Sequence, residues 1–202
     1  MKKGILKERW NKYRKRKRWW SILFDFLFLV LIVGMLIPQS RKSISSFVVR
    51  QTLLAPRESS NTVILGKEDW EMHLRDSEGR IVQLSDFRGK PVFINYWASW
   101  CPPCIAEMPS ISNLYDNYKD SVNFIFISTE SLENAARYLE KNSYNFPVFT
   151  AAGEIPEALI TTTIPTTILI SKGGRLVMYK TGAARWDSRD AFKIFDRLLS
   201  EM

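Results

Sequence analysis

Cysteine and histidine are the scarcest reactive residues in this chain, two and one among 202. A tetrahedral zinc centre on the two cysteines needs two further ligands, and His73 is the single imidazole on offer. Two cysteines also rule out a disulfide-stapled scaffold, so the fold must rest on an apolar core. At 46% apolar residues the chain has enough for one domain with appendages. Acid is under-represented against base, with 21 Asp and Glu to 29 Lys and Arg and a formal charge of +8. That excess is local: residues 1–18 hold ten Lys or Arg against Glu8, so +9 lies there and the remaining 184 residues sum to −1. No basic face is left for a nucleic-acid groove, and no nucleic-acid partner is expected.

The segment after the basic tail accounts for it. Residues 19–37, from Trp19 to Ile37, are almost all apolar and end at Pro38, a length suited to a bilayer-spanning helix. No small-x-small cleavage site comes after them, which favours a retained signal-anchor over a cleaved signal peptide. Trp19 and Trp20 suit the interface, and the positive-inside rule keeps residues 1–18 cytoplasmic. The expectation is a single-pass protein of the cytoplasmic membrane, contacting lipid through residues 19–37, with the rest of the chain outside the cytoplasm. Residues 38–61 read as a linker, polar at both ends, with a partial helical stripe (Ile44, Phe47, Val48, Leu54) that suits the membrane surface, the domain or a plain connecting turn.

The soluble domain is expected over 62–202. Residues 70–74 and 81–83, parted by Asp76-Ser77-Glu78-Gly79, read as a β-hairpin. Residues 91–96 and 122–128 read as buried strands joined by a helix from Pro102 to about Tyr118, hence parallel. A second helix at 132–141, a short strand at 147–150 and a helical turn near 156–159 come next. Residues 166–170 and 175–180 form a hairpin around Gly173-Gly174, and 187–199 closes the chain as a helix capped by Asp187 or Ser188, with Phe192, Phe195, Leu198 and Leu199 inward. This is an α/β domain with a mixed central sheet flanked by helices.

Both cysteines lie in Trp97-Ala98-Ser99-Trp100-Cys101-Pro102-Pro103-Cys104, on the strand-to-helix turn. Cys101 falls at the helix N-cap, where unpaired N–H groups and the helix dipole favour a thiolate, so it is the expected attacking sulfur. Cys104 sits one turn on, within reach for a small disulfide ring and sheltered from solvent, as a resolving thiol. Pro102 and Pro103 break no intrahelical bond there but remove two donors to the Cys101 sulfur, leaving the Cys104 amide as its main partner. A zinc half-site, a purely structural disulfide and a Cu(I) carrier are the competing readings of the pair. A thiol peroxidase is weakened by alanine at position 98, three residues before Cys101.

The run Trp97 to Cys104, with Glu107 and Pro109 behind it and Ile164-Pro165-Thr166-Thr167 before the hairpin, resembles the thioredoxin fold, and specifically the membrane-anchored TlpA-like and ResA-like thiol-disulfide oxidoreductases. The resemblance covers about residues 68–202. It implies a thioredoxin-like domain with an N-terminal β-hairpin and a central βα insertion at about 130–160. It implies an enzyme that exchanges thiols and disulfides through Cys101 and Cys104, usually as a reductant outside the cytoplasmic membrane, for example in cytochrome c maturation. A disulfide-forming oxidase would use the same residues. The partners implied are a disulfide-bearing protein substrate and a membrane thiol-reducing electron donor. No cofactor beyond the redox-active disulfide, and no metal, is called for.

Residue by residue, the resemblance gives Pro165 the role of the cis-proline facing the dithiol, leaving the Ile164 backbone free to pair with substrate. It gives Glu107 the role of a carboxylate with raised pKa that takes the proton of Cys104. Trp100, Gly182 and Ala183 complete the expected substrate-binding set, and Arg185 and Trp186 either shape the groove or, for Trp186, pack on the last helix. Asn95 departs from thioredoxin, which carries a buried acid there, so proton transfer falls to Glu107 or water. A thiolate-absorbance titration of Cys101 in a Cys104→Ala variant is expected to give a midpoint below the free-cysteine value of about 8.5.

Overall fold

The computed structural model describes residues 19–36, 48–57 and 63–201. The basic tail 1–18 lies outside these residues, as does all of the linker 38–61 except 48–57. Two units are present, residues 1–44 and 45–202. In the first, α1 (Trp19–Leu36) is apolar and exposed along most of its described side chains, among them Phe24, Leu27 and Phe28. Among the described residues, however, no helix is long and apolar enough to cross a membrane. This departs from the span expected over 19–37. Ser21 and Asp25 stand within the apolar run of the eighteen described residues.

The second unit is built on one eight-stranded mixed sheet. Its elements in chain order are β1 (Val63–Ile64), α2 (Lys67–Trp70), β2 (His73–Asp76), β3 (Ile81–Gln83), β4 (Val92–Trp97), α3 (Pro102–Tyr118), β5 (Asn123–Ser128), α4 (Leu132–Lys141), β6 (Val148–Ala151), β7 (Thr166–Ile170), β8 (Arg175–Thr181) and α5 (Arg189–Ser200). Their spatial order in the sheet is β1-β8-β7-β4-β5-β6-β2-β3. β4 is central: it runs parallel to β5, pairing Tyr96 with Ile127, and antiparallel to β7, pairing Asn95 with Thr167. All six of its residues are buried, as a strand covered on both faces requires.

Because strand side chains alternate, β4 serves two cores. Phe93 and Trp97 join Met108, Ile111 and Leu114 of α3, Leu139 of α4, and Phe195 and Leu198 of α5. Ile94 and Tyr96 join Trp70, Met72, Leu84 and Leu159 on the other face. Asn95 therefore points toward α3, between Phe93 and Trp97. The expected elements appear with small shifts. Trp70 ends a helical turn rather than opening the hairpin, and Ser188, not Asp187, caps α5 by accepting from the Ala191 amide. On α5, Phe195 and Leu198 are buried as expected, joined by Ala191 and Ile194, while Phe192 and Leu199 are only partly covered. At the β7–β8 turn Gly174 has φ +83°, and an added Cβ there would touch the Trp70 indole at 3.5 Å.

Phe93 is the hub of the helix-side core, with ring centroids of Phe124, Trp186 and Phe195 at 5.2, 5.1 and 6.1 Å. Phe93→Ala is expected to destabilise the domain by about 3–5 kcal/mol, read from the denaturant midpoint.

Candidate active site

The site lies where β4 gives way to α3. Cys101 is the N-cap of α3 and Pro102 and Pro103 open the helix; neither proline position has an N–H to lose. The Cys104 amide donates to Cys101 Sγ at 3.2 Å, and Cys101 and Cys104 are joined in a disulfide. Both are buried, Cys104 completely, while Trp100 beside them is 54% exposed. The turn thus hides its sulfurs and presents an indole to solvent.

The Ile164–Pro165 peptide is cis, as the resemblance implies. The segment before it is tied down at several points: Tyr96 Oη donates to Leu159 O at 2.9 Å, Tyr179 Oη to Ile160 O at 2.6 Å, and Thr166 Oγ1 to Thr163 O at 2.7 Å. Gly182, at φ +76°, donates its amide to Pro165 O at 2.8 Å, which brings Gly182 and Ala183 beside the cis-proline. Ile164, Pro165, Gly182 and Ala183 therefore share one neighbourhood.

Glu107 is buried more deeply than the sequence implied, with no solvent exposure. Three donors meet its carboxylate: Asn95 Nδ2 at 3.0 Å on Oε1, and Ala184 N at 3.0 Å and Trp186 Nε1 at 3.1 Å on Oε2. Burial pushes its pKa up to about 7, against the lowering effect of those donors and of the Lys180 charge. At i+3 from Cys104 on the same helix, it is placed one turn beyond the second sulfur. Asn95 Nδ2 also donates to Thr167 Oγ1 at 2.9 Å, while Asn95 Oδ1 is buried without a partner among the described residues. The amide that replaces thioredoxin's acid is thus a donor to Glu107, with an acceptor to spare beside it. Trp186 is fully buried against Phe93, so it supports Glu107 and the core rather than lining the groove. Pro109 lies inside α3, where it removes the bond to Ile105. His73 lies on β2 beside Gln83, at 3.3 Å, in the hairpin at the sheet's edge.

One residue escaped sequence reading. Glu130, in the loop after β5, accepts from Ser99 N at 2.5 Å and from Ser99 Oγ at 3.1 Å, and Thr129 N donates to Trp97 O at 3.0 Å. These bonds fasten the turn that carries Trp100 and Cys101. The parallel β4–β5 pairing was the available signal, since it sets the two strands' C-terminal loops side by side.

A carboxyl that binds its proton more tightly folded than unfolded makes stability fall as pH rises between the two pKa values. For Glu107 that window runs from about 4.5 to about 7. Measured against Glu107→Gln by denaturant unfolding, the wild-type chain is expected to lose stability across the window, on the order of a few kcal/mol.

Comparison with known proteins agrees with this geometry. The redoxin family model matches residues 43–198. The thiol-disulfide oxidoreductase ResA of Bacillus thuringiensis subsp. konkukian is 35% identical over 116 residues, 56% of this chain and 67% of the relative. ResA of Halalkalibacterium halodurans is 30% identical over 171 residues, 83% of this chain and 89% of the relative. Among solved structures, the thioredoxin domain of a Bacteroides vulgatus thiol-disulfide oxidoreductase superposes with a TM-score of 0.54 at 21% identity, covering 63% of this chain and 92% of that one, which shows the thioredoxin-like fold. A family match across most of the chain, found together with the cysteine pair, the cis-proline and the mixed sheet, makes this protein a member of the redoxin family, among the ResA thiol-disulfide oxidoreductases.

Proposed function

We propose that this thiol-disulfide oxidoreductase works as a reductant of protein disulfides outside the cytoplasmic membrane, held there by residues 19–37. In the reduced enzyme the Cys101 thiolate attacks a substrate disulfide, one substrate sulfur leaves as thiolate, and a mixed disulfide forms. Cys104 gives its proton to Glu107 and attacks Cys101 Sγ, releasing the second substrate thiolate and leaving the Cys101–Cys104 disulfide. Two electrons pass to the substrate, and a membrane thiol-reducing donor returns them. Trp100 and the backbone of Ile164 and Pro165 receive the substrate, with Gly182 and Ala183 beside the cis-proline.

The observation that carries the reading is the buried carboxylate of Glu107 one helical turn from a buried resolving cysteine. Its pKa of about 7 suits a base that must take a proton and later return it near neutral pH. Reduction is favoured over oxidation because the prolines leave only the Cys104 amide at the Cys101 sulfur, a weaker stabilisation of the reduced form than strong oxidants have. Anchoring is supported by the apolar surface of α1, by Trp19 and Trp20 at its start and by the basic run before it.

Equilibration of the full chain with glutathione buffers is expected to give a potential below about −180 mV, and a more oxidising value would turn the assignment to an oxidase. In parallel, the Cys104→Ala chain expressed in membranes should retain its substrate covalently on Cys101, with the attached protein on the outer side.

A further inference from the structure

Residues 48–57 enter neither the fold's sheet nor the exchange chemistry, yet they lie against the site. The segment is helical over 48–51 and then without regular secondary structure, with Pro56 buried, Leu53 and Ala55 half-buried and Leu54 80% exposed. Leu54 O accepts the amide of Arg185 at 2.9 Å. Arg185 stands between the two residues that hold Glu107. Ala184 N and Trp186 Nε1 donate inward to Glu107 Oε2, and Trp186 N donates inward to Ser110 Oγ at 3.2 Å. The 184–186 peptide alternates, two inward donors on either side of one outward donor, and the outward one is met by the linker. A cavity of about 210 Å³ between Arg50, Gln51 and Leu53 on one side and Ala106, Ser110 and Arg185 on the other puts the same segment over α3 at the residues flanking Glu107.

We propose that residues 53–56 are a positioning strap for the proton-transfer step: by holding the outer face of the 184–186 peptide, they keep its inner donors trained on Glu107. The inference rests on the reading of Glu107 as the group that takes the proton of Cys104. The strap contributes no atom to the exchange. With Leu54 O on the outer edge, the Ala184 and Trp186 donors stay on Oε2. Without it, the ionised carboxylate loses part of the compensation for its burial. The other groups facing Glu107 do not depend on the strap. These are Asn95 on β4 and the Lys180 charge on β8. Arg185 Nε is paired with Asp187 Oδ1 at 3.0 Å on the outer side.

The test uses the full chain with Leu53→Asp/Pro56→Asp, which puts charge where the strap is covered, and Leu54→Asp as a control, whose exposed side chain leaves the carbonyl in place. Two readouts are taken: hydrogen exchange of the Arg185 amide, and the pH dependence of mixed-disulfide release in single turnover. The wild type and Leu54→Asp are expected to protect Arg185 and to share one midpoint. The double variant is expected to lose the protection and to move the midpoint up by about one unit, with substrate capture by Cys101 unchanged. Free exchange of Arg185 in the wild type, protection that persists in the double variant, or lost protection with an unmoved midpoint would each overturn the proposal. If Glu107→Gln retains the wild-type pH dependence, the assignment of Glu107 is what fails.

Discussion

A carboxylate shut away from water has to be met by hydrogen-bond donors or remain protonated, and much of this domain serves that requirement at Glu107. The donors come from two separate stretches of chain: Asn95 on the central strand, and Ala184 with the indole of Trp186 in the loop after β8. Bringing them together requires α3 to lie across β4 and the loop after β8 to fold back onto α3. The same packing puts Trp186 edge-on to Phe93, so the aromatic hub of the helix-side core and the cradle of the acid share one side chain. Core packing and proton chemistry cannot be altered independently here.

The dithiol is held by a second set of ties that runs along the loops at the C-terminal ends of the sheet's parallel strands. β4 and β5 are parallel neighbours, so the loops after them lie together, and Glu130 and Thr129 fasten to Ser99 and Trp97. From the other side the cis-proline segment is pinned by Tyr96, Tyr179 and Thr166, and closed by the Gly182 amide. The two sets hold the cysteine turn and the substrate-facing backbone on a rigid sheet, which is what exchange between three sulfurs in line requires. Trp100 stays exposed between them, an apolar contact set beside buried sulfurs.

Much of this was legible in the residues. Cys101 as N-cap, the two prolines behind it, the parallel strands around α3 and the Gly-Gly hairpin each stem from local chemistry: an N-cap preference, a missing N–H, a strand-helix-strand crossover, a turn that needs positive φ. The two-residue β1 edge strand was not foreseen, because so short a run has no periodicity and pairs only because β8 offers a free edge. The sequence reading puts Trp70 in the hairpin strand, whereas in the structure it ends a helical turn packed under Gly174. Residues 19–37 show the opposite case: composition argues for a membrane, while the described helix falls short of crossing one.

By itself, then, the order of residues determined where the redox pair sits, which sulfur caps the helix and what fold surrounds it, since each depends on neighbours within a few positions along the chain. The depth of Glu107, the identity of its donors, the clamp of Glu130 on Ser99 and the docking of Leu54 on Arg185 were decided only by the tertiary structure. These contacts join residues 12 to 131 positions apart. No local pattern marks such a pair, because its geometry exists only once the sheet has set the distance between them.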